Sequence, residues 1–336
     1  MVSQASYTPG VSVVICTYNG ASRIGTTLDH LLHQKDTEGI DWEVVLVDNH
    51  SDDNTAAVAR LLWVSEIPFS VVTEHQQGIT HARNTGIAAA KFAFISFIDD
   101  DNYVDPFWVR NVFYCFHQNP KIDGCGGNSE ALCEKTSPGW FEAVKGAWAV
   151  GRQGDATADI TESRGTLWGA GISFRRKCFD KISSAGFRYH TIGRQGNRLS
   201  AGDDSELCLA FVAAGCRLWY IENLNLKHQI PAGRLTWNYA KGIFRGLGES
   251  ELLLDLYRMA IRKKKLPLCR IYLSLIPYSI LYFGWRFLNL PHRQEGNSRY
   301  LSYLARKHYI LKALKSWSSL PKLMKDIRGF CNRVSQ

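Results

Sequence analysis

Three consecutive carboxylates, Asp99, Asp100 and Asp101, end the apolar run 92–98 in the stretch FAFISFIDDDNYVDP. Crowded like charges repel, and a hard divalent cation offsets that repulsion. Side chains alternate along extended backbone, so Asp99 and Asp101 are expected on one side and Asp100 on the other. Such a D-x-D pair suits Mg2+ or Mn2+, which take oxygen ligands and bridge to substrate phosphates. In isolation, three acids read more plainly as an Asp-rich turn, with Asp101 capping the helix predicted by DPFWVRNVFYCF.

Chemistry of this kind needs a scaffold to hold it. Strand-like and helix-like patterns alternate along the chain, which predicts βαβ units and a mostly parallel sheet with flanking helices. VSVVIC (11–16) reads as a strand, and after TYNGAS a helix places Ile24, Leu28, Leu31 and Leu32 on one face. WEVVLVD (42–48) is a second strand, and SDDNTAAVARLL a second helix that Asp52 or Asp53 can cap. FSVVT (69–73) and FAFISFI (92–98) complete four strands. In open parallel sheets, ligands sit beyond the carboxyl ends of the strands. Those ends carry Thr17, Tyr18 and Asn19, then Asp48 and Asn49, then Glu74, then the three acids. A polar ligand pocket is expected there. Further on, WGAGISF offers Trp168 as a flat face for a sugar ring, with Gly169 and Gly171 permitting close backbone approach. Ordinary aromatic packing is the competing reading of that segment.

The 336 residues, 45% of them hydrophobic, suffice for one large α/β domain with an extension, or for two domains. The nine cysteines form no C-x-x-C pair and are odd in number. That argues against a zinc site or a disulfide framework and for a reducing compartment. The start, MVSQASYTPG, lacks the basic-then-apolar order of a secretory signal and reads as a tail over 1–10. The net charge of +9 is uneven. From Arg258 onward, 17 Lys and Arg face two acids, Glu295 and Asp326, leaving the rest of the chain mildly acidic. A nucleic-acid-binding module would carry its positive face on the fold itself, so no nucleic-acid partner is expected.

Taken in order, VSVVICTYNG, VVLVDNHSDDNT, HQQGITHARNTGI, FISFIDDDNYVDP, WGAGISFRR and GDDSELCLAFVAAGCRLWY resemble the motifs of family 2 inverting glycosyltransferases with the GT-A fold. They cover residues 11 to about 240. The later RLTW is similar to a feature of non-processive, polysaccharide-building members, and marks Arg234 and Trp237 as acceptor-side residues. The resemblance implies a nucleotide-sugar donor and a glycan or lipid-linked glycan acceptor. It implies that Thr17, Tyr18 and Asn19 line the nucleotide pocket, with Asp48 and Asn49 holding base and ribose. Many members carry a second acid where this chain has Asn49. Arg83 of HARN would lie near the nucleotide phosphates, Asp99 and Asp100 at the donor, and Asp101 with Asp99 on the metal. His228 of LKHQIP would be a third metal ligand, though a lone His is more often structural. In GDDSELC, Asp204 takes the place of the family's general base and Asp203 that of its usual Glu. A positioned carboxylate removes the acceptor hydroxyl's proton as the new bond forms. Both acids could instead cap the following helix, and Glu206 reads as structural.

The catalytic domain is expected over 11–240 and a basic, partly hydrophobic helical region over 241–336. The apolar core 271–285, with Pro277 inside, is shorter than the roughly 20 residues a spanning helix needs. Flanking basic residues and Tyr282, Trp285 and Phe287 favour a segment lying on the inner leaflet, and so a cytoplasmic, peripheral membrane address. A helical hairpin packed on the catalytic domain is the alternative. Among other enzymes, a dehydrogenase lacks its G-x-G-x-x-G turn here, since CTYNGAS follows the first strand. A nucleotidyltransferase would show a Gly-rich basic loop near the N-terminus. A glycoside hydrolase could use Asp101 and Asp204 as its pair. A membrane-bound carbohydrate-binding scaffold is the non-enzymatic alternative.

Overall fold

The computed structural model describes residues 7–191, 193, 201–262 and 295–335. Within it the chain divides into two compact units. The first comprises residues 1–132, 149–181 and 216–229, and the second 133–148, 182–215 and 230–336. The linear division at 240 expected from the sequence differs from this partition, because segments of both units alternate along the chain.

The first unit is built on β1 (Val11–Thr17), β2 (Trp42–Asp48), β3 (Phe69–Thr73) and β4 (Phe94–Asp99). They run parallel in the order β3-β2-β1-β4. β2 is buried along its whole length and β1 nearly so. Their near-continuous Val, Ile and Leu runs are what a strand covered on both faces requires. One cover is α1 (Ile24–Leu32) and α4 (Trp108–Gln118), which bury Ile24, Leu28, Leu31, Trp108, Val109 and Val112 in a shared core with Val11, Val13 and Ile15. Leu32 is half-buried at the margin of the α1 face. The other cover is α3 (Ile79–Ala89), which approaches so closely that a Cβ on Gly86 would stand 2.4 Å from Val14 Cγ1. β4 starts two residues later than its apolar run, since Ala93 N–H is drawn off to Thr8 O.

Past β4 the sheet turns antiparallel through β8 (Ser173–Arg175), β6 (Gly124–Cys133), β9 (Leu218–Ile230) and β5 (Asn102–Val104), with β7 (Ala158–Asp159) on β9. Between β2 and β3, α2 (Thr55–Leu62) supplies the second crossover. Its N-cap position is Asn54, while Asp53 accepts from Thr55 N–H and Ala21 N–H.

The second unit is helical. α6 (Asp203–Ala213), the 25-residue α7 (Trp237–Ile261), α8 (Ser298–Lys315) and α9 (Leu320–Val334) pack on one another. α5 (Arg176–Ser184) bridges the sequence of the two units. Fully buried Glu206 ties the second unit together: it accepts from the backbone N–H groups of His190 and Thr191, from the Thr191 hydroxyl, from Tyr257 and from the His190 ring. A buried carboxylate is tolerated because its oxygens are met this fully. Burial, with Glu206 beside it, pushes the Tyr257 phenol far up. Among the described residues, no helix is long and apolar enough to cross a membrane. The apolar run at 271–290 and the basic cluster at 263–270 lie outside the described residues.

Candidate functional site

The strand register levels the polar ends. Thr17 pairs with Asp48, Asp48 with Thr73, and Cys16 with Asp99, so the carboxyl ends of β1, β2, β3 and β4 form one row. The chain turns at Asp100 and Asp101 into β5, where Asn102 lies opposite His228 on β9. This turn is not a helix cap: α4 starts at Trp108, and Asp105, not Asp101, accepts the Phe107 N–H.

The three acids have separate surroundings. Asp100 faces α1 and accepts from Arg23 Nη2 at 2.8 Å and from the Thr17 hydroxyl at 2.6 Å. Its carboxyl is pushed up by burial, against the stabilising bond from Arg23. Asp101 is buried, and its Oδ1 stands 3.5 Å from His228 Nε2 and 3.2 Å from Asn102 Nδ2. Asp99 is pushed up by burial and by the neighbouring Asp101, with Arg83 and His228 pulling the other way. All three acids act on one another, and Asp100 is the one that takes up Arg23 and Thr17.

The donor set suits a hard divalent cation. Carboxylate oxygens and one imidazole lie together, and His228 Nδ1 is buried with no hydrogen-bond partner among the described residues. No group of three or more His, Cys, Asp or Glu side chains among the described residues converges into a ready-made cage. Any ion held here would complete its shell from water or ligand oxygens, as Mg2+ usually does.

Around the acids, Asn19 takes a positive φ of 49°, and its Oδ1 accepts the Asp52 N–H while Ser51 Oγ accepts its own N–H. Tyr18 is exposed, with its hydroxyl 3.3 Å from Asp52. Asp48 accepts the Ser51 N–H at 3.1 Å. Asn49 donates to the carbonyls of Glu74 and Gln76 and accepts the Gly78 N–H at 2.7 Å, which clamps the loop after β3. A carboxylate in its place would face two carbonyl oxygens. Asn49→Asp is therefore expected to lower stability by about 1–3 kcal/mol, read from the midpoint of urea unfolding.

Arg83 on α3 is buried, its guanidinium 5.8 Å from the Phe97 ring centroid. Burial pushes the Cys16 thiol up to about 12, despite Arg83 nearby. The segment of Trp168, Gly169 and Gly171 runs beside β4, with Ile172 O accepting the Phe97 N–H. Arg164 lies over the Trp168 ring at 4.9 Å. Gly171 has φ +71°, and a Cβ there would meet Leu226 at 2.5 Å and Trp108 at 2.7 Å, so packing alone already demands glycine.

In the second unit, Asp203, Asp204 and Glu206 occupy the first turn of α6, where the helix dipole favours negative charge. Neither Asp203 nor Asp204 is the cap: that position is Gly202, at φ +99°. Asp204 is half-buried, with Oδ1 accepting the Ser205 N–H at 2.7 Å. Trp237 is buried, its ring 5.3 Å from that of Trp140, and Arg234 gives its carbonyl to Trp148 Nε1. Sequence reasoning missed Arg23, whose partner lies 77 residues away, and the Asn49 clamp, since no local pattern signals either bond.

Residues 12–183 match the family described as Glycosyl transferase family 2. The chain is 23% identical over 251 residues to the glucosyl-dolichyl phosphate glucuronosyltransferase of Haloferax volcanii, covering 73% of this chain and 77% of that protein. It is 33% identical over 104 residues to the succinoglycan biosynthesis protein ExoO of Rhizobium meliloti, covering 31% and 29% respectively. The chain thus spans less than a third of the length of that relative. In fold it is similar to the mannosyltransferase PcManGT of Pyrobaculum calidifontis, solved with GDP-Man and Mn2+, at a TM-score of 0.51 and 17% identity over 98% of this chain and 86% of that one.

Proposed function

The chain belongs to glycosyl transferase family 2, and from that premise we propose an inverting, metal-dependent transfer of a sugar from a nucleoside diphosphate to a hydroxyl of a glycan or lipid-linked glycan. One observation carries this reading: a levelled row of polar strand ends closed by a buried acidic turn against an imidazole. The fold neighbour solved with GDP-Man and Mn2+ supports a donor and an ion of these classes. The Haloferax relative, named for glucosyl-dolichyl phosphate, supports a lipid-linked acceptor.

In this reading Thr17, Tyr18, Asn19 and Asp48 line the nucleotide pocket, and Asn49 holds the loop after β3 against it. Asp100 acts through Thr17, whose hydroxyl it orients. Arg83 balances the charge of the diphosphate. Asp99, Asp101 and His228 would hold Mn2+ or Mg2+. When bound, such an ion offsets the charge that grows on the departing diphosphate. Asp204 takes the proton from the acceptor hydroxyl and Asp203 supports it. A single displacement inverts the anomeric carbon and needs no covalent enzyme intermediate. Trp168 with Gly169 and Gly171, and Arg234 with Trp237, serve the acceptor. The proposal includes a cytoplasmic address, peripheral to the membrane.

A thermal-shift screen of nucleoside diphosphates and their sugars, with and without Mn2+, tests it, since binding stabilises the folded state. One nucleotide is expected to raise the melting temperature by several degrees, and more with the ion. No shift with any of them overturns the proposal. Release of nucleoside diphosphate during turnover separates transfer from glycoside hydrolysis and from nucleotidyl transfer.

A further inference from the structure

Three of the nine large apolar side chains exposed among the described residues fall within seven residues of chain: Leu311 at 37%, Leu314 at 55% and Trp317 at 48%. They occupy the end of α8 and the turn into α9. Lys312, Lys315, Lys322 and Lys325, all within eight residues of Trp317 in sequence, are exposed as well. From 298 to 335, Asp326 is the sole acid.

The patch is not an unburied helix face. α8 already buries Leu301, Leu304, Tyr309, Ile310 and Ala313, and α9 buries Leu320, Met324, Ile327, Phe330, Cys331 and Val334. Both helices are held in the second unit by those faces, and the elbow between them still exposes Leu311, Leu314 and Trp317 along with Lys312 and Lys315 on the same turns of chain.

We propose that this elbow docks on an anionic phospholipid surface. Trp seats at the boundary between headgroups and acyl chains, and lysines near an anionic leaflet each add attraction. Cores of protein interfaces are depleted in Lys, and a stable one engages 20–30 residues a side, far more than this tip offers. The proposal sharpens the membrane address suggested above and does not depend on the sugar-transfer reading, because docking is read with no donor or acceptor present.

The test is co-sedimentation of the full chain with vesicles of phosphatidylglycerol and phosphatidylcholine, against phosphatidylcholine alone. The wild type is expected to bind the anionic vesicles and to be released by salt. Leu314→Ser combined with Trp317→Ser is expected to lose roughly tenfold or more in partitioning. Lys312→Gln with Lys315→Gln is expected to lose a similar factor, about fivefold per lysine. Both pairs lie at the surface and should keep the wild-type melting temperature. Failure of the wild type to bind overturns the proposal. So does unchanged binding by both double variants, which would place the contact elsewhere on the chain. A wild-type dimer that dissociates on Leu314→Ser with Trp317→Ser also overturns it, in favour of contact between copies.

Discussion

Asp101→Ala is expected to abolish manganese-stimulated sugar transfer, a loss of about a thousandfold or ~4 kcal/mol of barrier. The cause is local. Asp101 and His228 are the acid and imidazole brought within 3.5 Å, and both are buried. Removing the carboxylate would leave Asp99 and the imidazole, without the buried acid between them, to hold a doubly charged ion. The fold should tolerate the change, because Asp101's backbone carbonyl, not its side chain, accepts the Gln229 N–H that pins the turn to β9. The measurement is turnover against Mn2+ concentration, with the melting temperature as control. Wild-type response to the ion in the variant would remove Asp101 from the role.

Asp204→Asn is expected to lower turnover by about a hundredfold to ten-thousandfold while leaving donor affinity unchanged. An amide keeps the oxygen that accepts the Ser205 N–H at 2.7 Å, so the start of α6 is preserved. It cannot accept a proton at neutral pH. Calorimetric titration of the donor, beside initial rates, separates the two effects. Equal loss of binding and rate would mean that Asp204 contacts the nucleotide rather than the acceptor hydroxyl.

Much of the parallel half of the sheet was legible because its strands are long β-branched runs with turn residues at each end. The ends of β1, β2 and β3 fall within one residue of the expected positions. The antiparallel half was not legible: β5 and β8 have three residues each and β7 has two, too few to show a period. Their pairing comes from contacts distant in sequence, as between Asn102 and His228. The acids themselves were legible by type and spacing, but their division of labour was not. Asp100 is claimed by Arg23, and that pair is visible once α1 is folded beside β5. Helix capping was also misjudged in part, since Gly202 in a left-handed conformation starts α6 where Asp203 and Asp204 were the candidates.

The Arg23 bond gives the middle carboxylate of the turn a partner within the protein itself. One negative charge of the three is compensated by the protein's own guanidinium, so the turn does not rely on an added cation to hold its shape. A metal-dependent catalyst of the kind proposed, with Asp99, Asp101 and His228 as the holding residues, would keep this turn folded when the ion is withdrawn. Chelators would stall such a catalyst reversibly, without unravelling it.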